Sequence, residues 1–229
     1  GRTAPNPPVG CAIVSAGGQL LASGHTAVGG RPHAETEALE MAGEAAQGAT
    51  AYVTLEPCSH TGQTGPCSDA LVAAGIARVV IAMRDPDPRV NGRGIEALAE
   101  KGVALQIGVE AEAARRVMAG FLMRTSKARP LVTLKTATSL DGMIALEDGA
   151  KRWITGPLMR RAVHLLRSRS EGLLSAVGTV LADDPQFTCR LAGLHRDSPH
   201  RFILDASLRT PPSARLFEAA GDVGLTFFC

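Results

Sequence analysis

A short His-x-Glu triplet, His33 to Glu35, constrains this chain more than any other feature, because a Pro-Cys pair and a further cysteine follow it. The pair is Pro57-Cys58, and the further cysteine is Cys67. One imidazole and two thiolates can hold Zn²⁺ as three ligands of a tetrahedron, with the fourth position left for water. Zinc held in this way lowers the pKa of its bound water to about 7. We therefore expect the chain to fold so that these separate segments meet at one point.

Glu35 lies two residues after the predicted ligand His33, so its carboxylate can lie beside the water without binding the metal. This pattern, with glutamate as general acid and base, is typical of zinc deaminases. Such deaminases usually have two residues between the cysteines, whereas here eight separate them, Ser59 to Pro66. A lone histidine at a helix start is more often a cap or a core residue. Its combination with Glu35 and the Pro-Cys pair is what favours zinc.

The loop between the cysteines contains His60, which has three interpretations: a fourth zinc ligand, a substrate contact or an ordinary loop residue. A fourth protein ligand would close the site and make the zinc structural. That alternative leaves Glu35 without a role. Cys11 and Cys189 are interpreted as small core residues.

Composition excludes several classes of function. The net charge is +2 and aromatic residues make up 3% of the chain, so there is neither a strongly basic surface nor many platforms for stacking nucleic-acid bases. No run of about 18 apolar residues is present, so we expect no membrane-spanning helix. The five cysteines are an odd number, which does not suggest a disulfide scaffold. We expect a cytoplasmic protein that acts on a small molecule.

Hydrophobic periodicity predicts a first domain of alternating strands and helices. The predicted elements are a hairpin over 9–14 and 19–23, a helix over 33–46, a strand over 50–55, a helix over 67–74 and a strand over 78–83. Pro32 and Pro66 mark the starts of the two helices. His33 and Cys67 should thus lie at helix N-termini, where the helix dipole favours thiolate over thiol.

A basic segment over 121–130 is a predicted linker, and a second α/β domain begins near Pro130. Its predicted elements are a strand over 131–137, a basic amphipathic helix over 157–170 and strands over 173–177, 201–204 and 223–228. No G-x-G-x-x-G is present, so a Rossmann dinucleotide site is not supported.

Three further motifs each have two interpretations. The sequence Asp85 to Pro88 is a rigid turn or a ligand contact. The arginines near residues 152–169 form a solvated helix face or bind an anion, since guanidinium groups suit phosphate. Gly178-Thr179 is a helix start or a phosphate contact.

Several motifs together resemble the bifunctional pyrimidine deaminase/reductase family of riboflavin biosynthesis, over essentially the whole chain. In the first part the motifs are Pro5-Asn6-Pro7-x-Val9-Gly10, Pro32-His33-Ala34-Glu35 and Glu56-Pro57-Cys58-Ser59-His60 through Pro66-Cys67. In the second part they are Leu134-Lys135, Ser139-Leu140-Asp141-Gly142, Trp153-Ile154-Thr155-Gly156 and Gly178-Thr179 through Asp183-Asp184-Pro185. The long cysteine loop is what this family shows.

The resemblance implies an α/β fold class with two domains. Residues 1–122 would form a cytidine-deaminase-like three-layer α/β/α domain, and residues 130–229 an incomplete dihydrofolate-reductase-like α/β domain. The first would use Zn²⁺ to remove the ring amino group of diaminohydroxyphosphoribosylaminopyrimidine. The second would use NADPH to reduce the ribosyl side chain to ribityl. An incomplete second domain would leave a sheet edge unpaired, so we expect a homo-oligomer.

The resemblance also assigns residues to these two steps. The implied zinc ligands are His33, Cys58 and Cys67, and the implied catalytic residues are Glu35, Asp183 and Lys135. The implied NADPH contacts are Ala137, Trp153, Thr179 and Asp183. The implied substrate contacts are Asn6 and His60 in the first domain, and Lys151, Arg167, Phe187 and Arg190 in the second.

The chain departs from the family pattern in three places. It lacks the helix that usually precedes the Pro-Asn-Pro loop, and the family's Asp-Pro-Asn-Pro appears with Asp87 in the third position. It also stops at Cys229, inside the reductase domain, which indicates a fragment or a truncated copy. The alternatives to this family are a nucleoside or tRNA deaminase and a structural-zinc interaction module.

Overall fold

The structure, a computed structural model, describes residues 2–62, 64–146 and 153–229. The chain divides into two compact units, Thr3–Val132 and Thr133–Cys229, with Arg2 assigned to the second. Both units mix helices with a sheet. None of the described helices is long and apolar enough to cross a membrane.

The first unit is built on a five-stranded sheet. Its strands are β1 (Gly10–Val14), β2 (Leu20–His25), β3 (Thr50–Val53), β4 (Arg78–Ile81) and β5 (Ala104–Ile107), in the order β2-β1-β3-β4-β5. β1 pairs antiparallel with β2 and β3, while β3, β4 and β5 run parallel. The predicted hairpin is therefore confirmed as β1 and β2.

The helices of this unit are α1 (Ala34–Ala42), α2 (Cys67–Ala73), α3 (Arg93–Glu100), α4 (Ala111–Val117) and α5 (Ala119–Lys127). A 3₁₀ helix, Gly43–Ala46, continues α1. Apolar side chains of α1, α2 and α3 share one core with the strands, including Ala38, Leu71, Leu98, Ile13 and Ile81. The alternating burial of β1, in which Cys11 and Ile13 point into this core, is the period-two pattern of a half-buried strand.

Helix α1 packs closely against strand β2 at Gly24. A Cβ atom at Gly24 would lie 2.4 Å from the carbonyl oxygen of Ala34 and 2.7 Å from the backbone nitrogen of Ala38. Only glycine allows this approach, since backbone atoms cannot move aside as a side chain can. The first turn of α1 is thereby fixed against the sheet.

The segment predicted as a linker is largely helical. α5 occupies most of residues 121–130, and Phe121 and Leu122 pack on the buried side chains of Ala114 and Met118. Leu55, Ala82 and Met83, at the ends of β3 and β4, complete this second cluster. Apolar side chains at helical spacing, rather than the basic residues between them, determine the structure here.

The second unit has a three-stranded parallel sheet, β6 (Gly172–Ala176), β7 (His200–Leu204) and β8 (Leu225–Phe228), in that order. The helices are α6 (Pro157–Ser168) and α7 (Val177–Asp183), with 3₁₀ helices at His195–Asp197 and Arg215–Ala219. A small core contains Val180, Phe187, Ile203, Ala214 and Leu216.

The strand predicted over residues 131–137 is wrong. These residues are irregular in the structure, and the side chains of Val132 and Leu134 are 81% and 86% exposed. A strand takes its hydrogen bonds from a neighbouring strand, and none of the described strands pairs with this segment. The apolar pattern alone could not supply that partner.

Candidate active site

His33, Cys58 and Cys67 come together from three separate segments of the first unit. His33 is the residue immediately before α1, Cys58 lies in the loop after β3, and Cys67 is the first residue of α2. Pro32 and Pro66 precede His33 and Cys67, as expected at helix starts. The two helix N-termini therefore meet beside the end of a sheet strand.

The donor atoms of these residues have the spacing of a zinc site. His33 Nδ1 lies 3.3 Å from Cys67 Sγ and 3.7 Å from Cys58 Sγ, and all three ligand atoms lie within 4.8 Å of one another. In a tetrahedral zinc site with ordinary bond lengths, neighbouring N and S ligands are about 3.6 Å apart. The donor set and its separations therefore fit Zn²⁺, with His33 presenting Nδ1.

The environment of Cys58 favours its thiolate. The Cys67 side chain and His33 hydrogen-bond to its sulfur and lower the pKa of Cys58 to about 4. The backbone N–H of Cys67 also donates to this sulfur, at 3.3 Å. The same contact with Cys58 raises the pKa of His33 above its ordinary value. The negative charge of the Cys58 thiolate thus favours a positive charge beside the three donor atoms.

Glu35 follows on the first turn of α1, where its side chain is 4% exposed. Burial raises the pKa of Glu35 to about 7, and the negative charge of Cys58 acts in the same direction. A carboxyl group with this pKa can both accept and donate a proton at neutral pH.

Cys11 is buried in β1, as expected for the core residue that the sequence predicted. Burial raises the pKa of its thiol.

The two predicted substrate contacts of the first unit differ in their surroundings. Asn6 donates from Nδ2 to the carbonyl of Gly30 at 2.7 Å, and the same atom lies 3.4 Å from His33 Nε2. His60 is exposed and is not among the clustered metal-ligating residues of the described chain. The hydrogen bond from Arg89 is the main cause that lowers the pKa of Asp87, and His60 makes a smaller contribution in the same direction. The described residues thus offer three ligands to a metal.

Sequence reasoning quoted Glu56 within a motif but gave it no role. Its carboxylate is 3% exposed and accepts hydrogen bonds from four backbone N–H groups, those of Asp85, Gly92, Gly94 and Ile95. The only available signal was an acidic residue at the end of an apolar strand, directly before Pro57. Its partners lie 29 to 39 residues further along the chain.

The motif from Asp85 to Pro88 forms a turn held by side chains. Asp85 Oδ1 accepts from the N–H of Asp87 at 2.9 Å, and Asp87 is paired with Arg89 at 2.6 Å. Asp85 is 6% exposed, and burial raises its pKa to about 6. A cavity of about 320 Å³ lies beside this turn, lined by Met83, Arg84, Asp85, Pro86, Asn91, Arg115, Leu122 and Ser126.

In the second unit the structure brings together Arg167, Phe187 and Arg190. The Arg167 guanidinium lies 5.9 Å from the centre of the Phe187 ring and donates to the carbonyl of Thr188 at 3.0 Å. Sequence reasoning missed His164, whose Nδ1 accepts the backbone N–H of Arg190 at 3.2 Å. Burial, together with Arg167 and Arg190, lowers the pKa of His164. A cationic cluster of this kind suits an anion.

The other residues predicted for the second domain are more scattered. Trp153 is 79% exposed. The guanidinium carbon of Arg160 lies over its ring, 4.5 Å from the ring centre. Thr179 and Asp183 are exposed residues of α7. Lys135 and Ala137 lie in the irregular segment that follows Val132. Lys151 and Arg152 lie outside the described residues.

A cavity of about 650 Å³ opens at the carboxyl ends of β7 and β8. Its lining consists of Val177, Leu204, Asp205, Ala206, Ser207, Arg209, Phe228 and Cys229. Open parallel sheets bind ligands at the carboxyl ends of their strands. Val177 is also the first residue of α7, the helix that carries Thr179 and Asp183.

Two family profiles match this chain. The zinc-binding region of cytidine and deoxycytidylate deaminases matches residues 1–83, and the RibD C-terminal domain matches residues 130–223. The first match contains the cluster of His33, Cys58 and Cys67. The expected α/β fold class, with a cytidine-deaminase-like domain as the first of two domains, is confirmed, and the second domain matches the RibD C-terminal domain.

Named relatives are similar over nearly the whole chain. The riboflavin biosynthesis protein RibD of Escherichia coli (strain K12) is 45% identical over 231 residues, which cover 96% of this chain and 63% of that protein. RibD of Aquifex aeolicus (strain VF5) is 44% identical over 218 residues, which cover 95% of this chain and 61% of that protein. The chain thus spans less than two thirds of the length of these relatives.

Solved structures give the same result. A diaminohydroxyphosphoribosylaminopyrimidine deaminase/5-amino-6-(5-phosphoribosylamino)uracil reductase from Thermotoga maritima is 40% identical, with a TM-score of 0.90 over 99% of this chain and 64% of that chain. RibD of Acinetobacter baumannii, form 1, is 43% identical, with a TM-score of 0.86 over 99% of this chain and 65% of that chain. With a deaminase zinc-binding region followed by a RibD C-terminal domain, the chain belongs to the RibD family of riboflavin biosynthesis proteins.

Proposed function

We propose that the first unit is a zinc-dependent deaminase of riboflavin biosynthesis. Its substrate is diaminohydroxyphosphoribosylaminopyrimidine, the compound named for the Thermotoga maritima relative. The observation that carries this proposal is the three-residue donor cluster with a buried glutamate, Glu35, on the adjoining helix turn. Neither a nucleoside or tRNA deaminase nor a structural-zinc module is favoured, since the relatives are RibD proteins and the described cluster has three ligands.

In this proposal His33, Cys58 and Cys67 hold the zinc ion, which supplies Lewis-acid activation of a water molecule when it is bound. Glu35 takes a proton from the attacking water, because a pKa of about 7 makes its carboxylate a competent base near neutrality. It then returns a proton to the departing amine. The ring carbon gains a C–O bond and loses its C–N bond, so ammonia leaves.

Asn6 and His60 are the proposed contacts to the pyrimidine ring and its substituents. The position of Asn6 supports this role, because its amide lies beside His33. His60 lies in the loop between the two cysteines, close enough to Asp87 to influence its pKa. Residues 1–122 are the proposed deaminase domain.

The second domain, residues 130–229, is proposed as part of an NADPH-dependent reductase. When bound, NADPH supplies a hydride to the ribosyl C1′ of the deaminated product. Its proposed contacts are Ala137, Trp153, Thr179 and Asp183, with Asp183 and Lys135 as catalytic residues. The cavity at the ends of β7 and β8, with Arg209 in its lining, offers a cationic group suited to the phosphates of a dinucleotide.

Lys151, Arg167, Phe187 and Arg190 are the proposed contacts to the sugar phosphate. Support comes from the described cluster, in which Arg167 and Arg190 lie close enough to lower the pKa of His164. Guanidinium groups bind phosphate oxygens with paired hydrogen bonds. We place Arg167 and Arg190 around the phosphate for this reason.

The proposed setting is the cytoplasm, with a small-molecule substrate, no nucleic acid and a homo-oligomeric assembly. The five cysteines are free, which fits a reducing compartment. Size-exclusion chromatography with light scattering tests the assembly.

Ammonia release from diaminohydroxyphosphoribosylaminopyrimidine, measured with and without a zinc chelator, tests the deaminase. Release that stops on chelation and returns with added zinc is the expected result. Folded protein with stoichiometric zinc and no release would refute the proposal. NADPH oxidation in the presence of the deaminated product tests the reductase separately.

A further inference from the structure

The carboxylate of Glu56 connects two loops of the first unit. Its Oε1 accepts the N–H groups of Gly94 and Ile95 at 2.9 and 3.3 Å. Its Oε2 accepts those of Gly92 and Asp85 at 3.0 and 3.2 Å. Each oxygen therefore has two donors, and all four come from the stretch that runs from the end of β4 into the first turn of α3.

The charge of Glu56 is balanced by backbone groups. Among the described residues its hydrogen-bond donors are all backbone N–H groups, and three of them surround the N-terminus of α3. The helix dipole and the free N–H groups there favour a negative charge. A buried carboxylate with four such bonds is held rigidly, because losing any of them would leave a buried polar group unpaired.

Pro57, the residue after Glu56, is held by a close contact with Gly94. A Cβ atom on Gly94 would lie 2.0 Å from the carbonyl oxygen of Pro57, so the start of α3 lies directly against the backbone that leads to Cys58. The Glu56 N–H donates to Met83 O at 3.0 Å. The peptide preceding Cys58 is therefore fixed on both sides.

From the other direction, α2 fixes Cys58 itself. Ser68 N–H donates to the Cys58 carbonyl at 3.1 Å, and Cys67 N–H donates to its sulfur at 3.3 Å. The Cys58 sulfur is thereby placed within 3.7 Å of His33 Nδ1. Its position depends on α2 on one side and on the Glu56 contacts on the other.

We infer that Glu56 is a positioning residue of the metal centre, which holds Cys58 in ligating geometry by fixing the Glu56-Pro57 backbone against α3. The inference rests on the proposed zinc site but not on the reaction. A glutamine at this position would turn an NH₂ group towards two N–H donors, because an amide has only one acceptor oxygen. E56Q therefore keeps the shape of the side chain and removes half of its acceptors.

The test is zinc affinity, measured by competition with a chromophoric chelator on the 229-residue chain, with E96Q as matched control. Glu96 is an exposed residue of α3, the helix whose first turn donates to Glu56. We expect E56Q to bind zinc about 10–100-fold more weakly, as found for residues that support metal ligands, and E96Q to bind as the parent does. The cobalt-substituted protein should show a shifted visible spectrum for E56Q alone. Wild-type zinc affinity and an unchanged cobalt spectrum in folded E56Q would overturn the inference.

Amide hydrogen exchange of the unaltered protein gives a second test that does not depend on how well E56Q folds. If Glu56 supports the metal site, zinc must in turn stabilise the contacts of Glu56, since coupling between two sites is reciprocal. Zinc should therefore slow exchange at Gly94 and Ile95 more than in the edge strand β5. Equal slowing at both places would overturn the inference. Tight zinc binding without ammonia release would refute the proposed reaction and leave the role of Glu56 intact.

Discussion

The backbone N–H of Cys67 donates to the sulfur of Cys58 across 3.3 Å, so one predicted zinc ligand stabilises the other. The donor is the first residue of α2, where the N–H groups lack partners within the helix. With the Cys67 side chain and His33 also hydrogen-bonded to Cys58, the Cys58 thiolate forms at low pH even without metal.

Metal-free protein should therefore alkylate at Cys58 under mildly acidic conditions. With a pKa of about 4, Cys58 is a thiolate at pH 6, and its reaction with iodoacetamide should change by less than about two-fold between pH 6 and 8. An ordinary thiol, with a pKa of about 8.5, should gain roughly a hundred-fold over that interval. Peptide mass spectrometry measures the rate at each cysteine, and zinc should protect Cys58. A Cys58 rate that rises in step with pH would contradict the prediction.

Glu35→Gln should separate metal binding from catalysis. The variant keeps the three ligands, so zinc should remain stoichiometric by atomic absorption. Ammonia release should fall by about 10²–10⁴-fold, the usual contribution of a general acid–base group. E40Q, at an exposed position of the same helix, should behave as the parent does. Full activity in E35Q would remove Glu35 from the mechanism.

The zinc ligands could be predicted from the sequence because their chemistry is visible in residue type and spacing. His33, Cys58 and Cys67 each stand at a recognisable boundary, namely a proline before a helix or the end of an apolar strand. The partners of Glu56 could not be predicted, since they are backbone N–H groups of a distant loop and helix start, and any residue other than proline supplies one.

The strand expected over residues 131–137 failed for a related reason. Leu131, Val132 and Leu134 have the apolar character of a strand, but strand formation depends on a neighbour that the local sequence does not specify. His164 was missed because its importance comes from tertiary contact with Arg190, 26 residues away.

Asp85→Asn should stabilise the first unit in a pH-dependent way. Burial raises the pKa of Asp85 to about 6 in the folded chain, above its ordinary value of 3.8. Protonated Asp85 therefore favours folding below about pH 4, and this contribution is lost as the pH rises through 6. Asparagine keeps an oxygen for the Asp87 N–H and carries no charge.

Urea denaturation of D85N at several pH values is the measurement. At pH 8 the variant should gain about 1–3 kcal/mol in the free energy of unfolding, whereas at pH 4 the gain should disappear. E100Q, the same type of change at an exposed position of α3, should show no such trend. A D85N effect of equal size at both pH values would mean that desolvation of the charge is not its cause.

Replacing Arg201 should destabilise the second unit. Its side chain is wholly buried in β7, and its guanidinium donates to five backbone carbonyls, among them Leu216 and Val223 at 2.6 Å each. These carbonyls belong to the loop after α7, to the 3₁₀ helix Arg215–Ala219 and to the segment that follows this helix, so one side chain joins the loops around β7. Arg201→Met fills similar space but leaves the carbonyls without their donors, each a buried group that costs about 1–3 kcal/mol when unpaired. Partial relaxation and the avoided burial of a charge offset much of this sum, so we expect a net loss of about 2–4 kcal/mol in the free energy of unfolding.

Hydrogen exchange measures the effect of R201M on each unit separately. Amides of β7 should exchange faster in R201M, while those of β4 should not change. R196M, at an exposed arginine, should leave both sets unchanged. Equal acceleration in β4 and β7 would show that Arg201 supports the whole chain rather than the second unit.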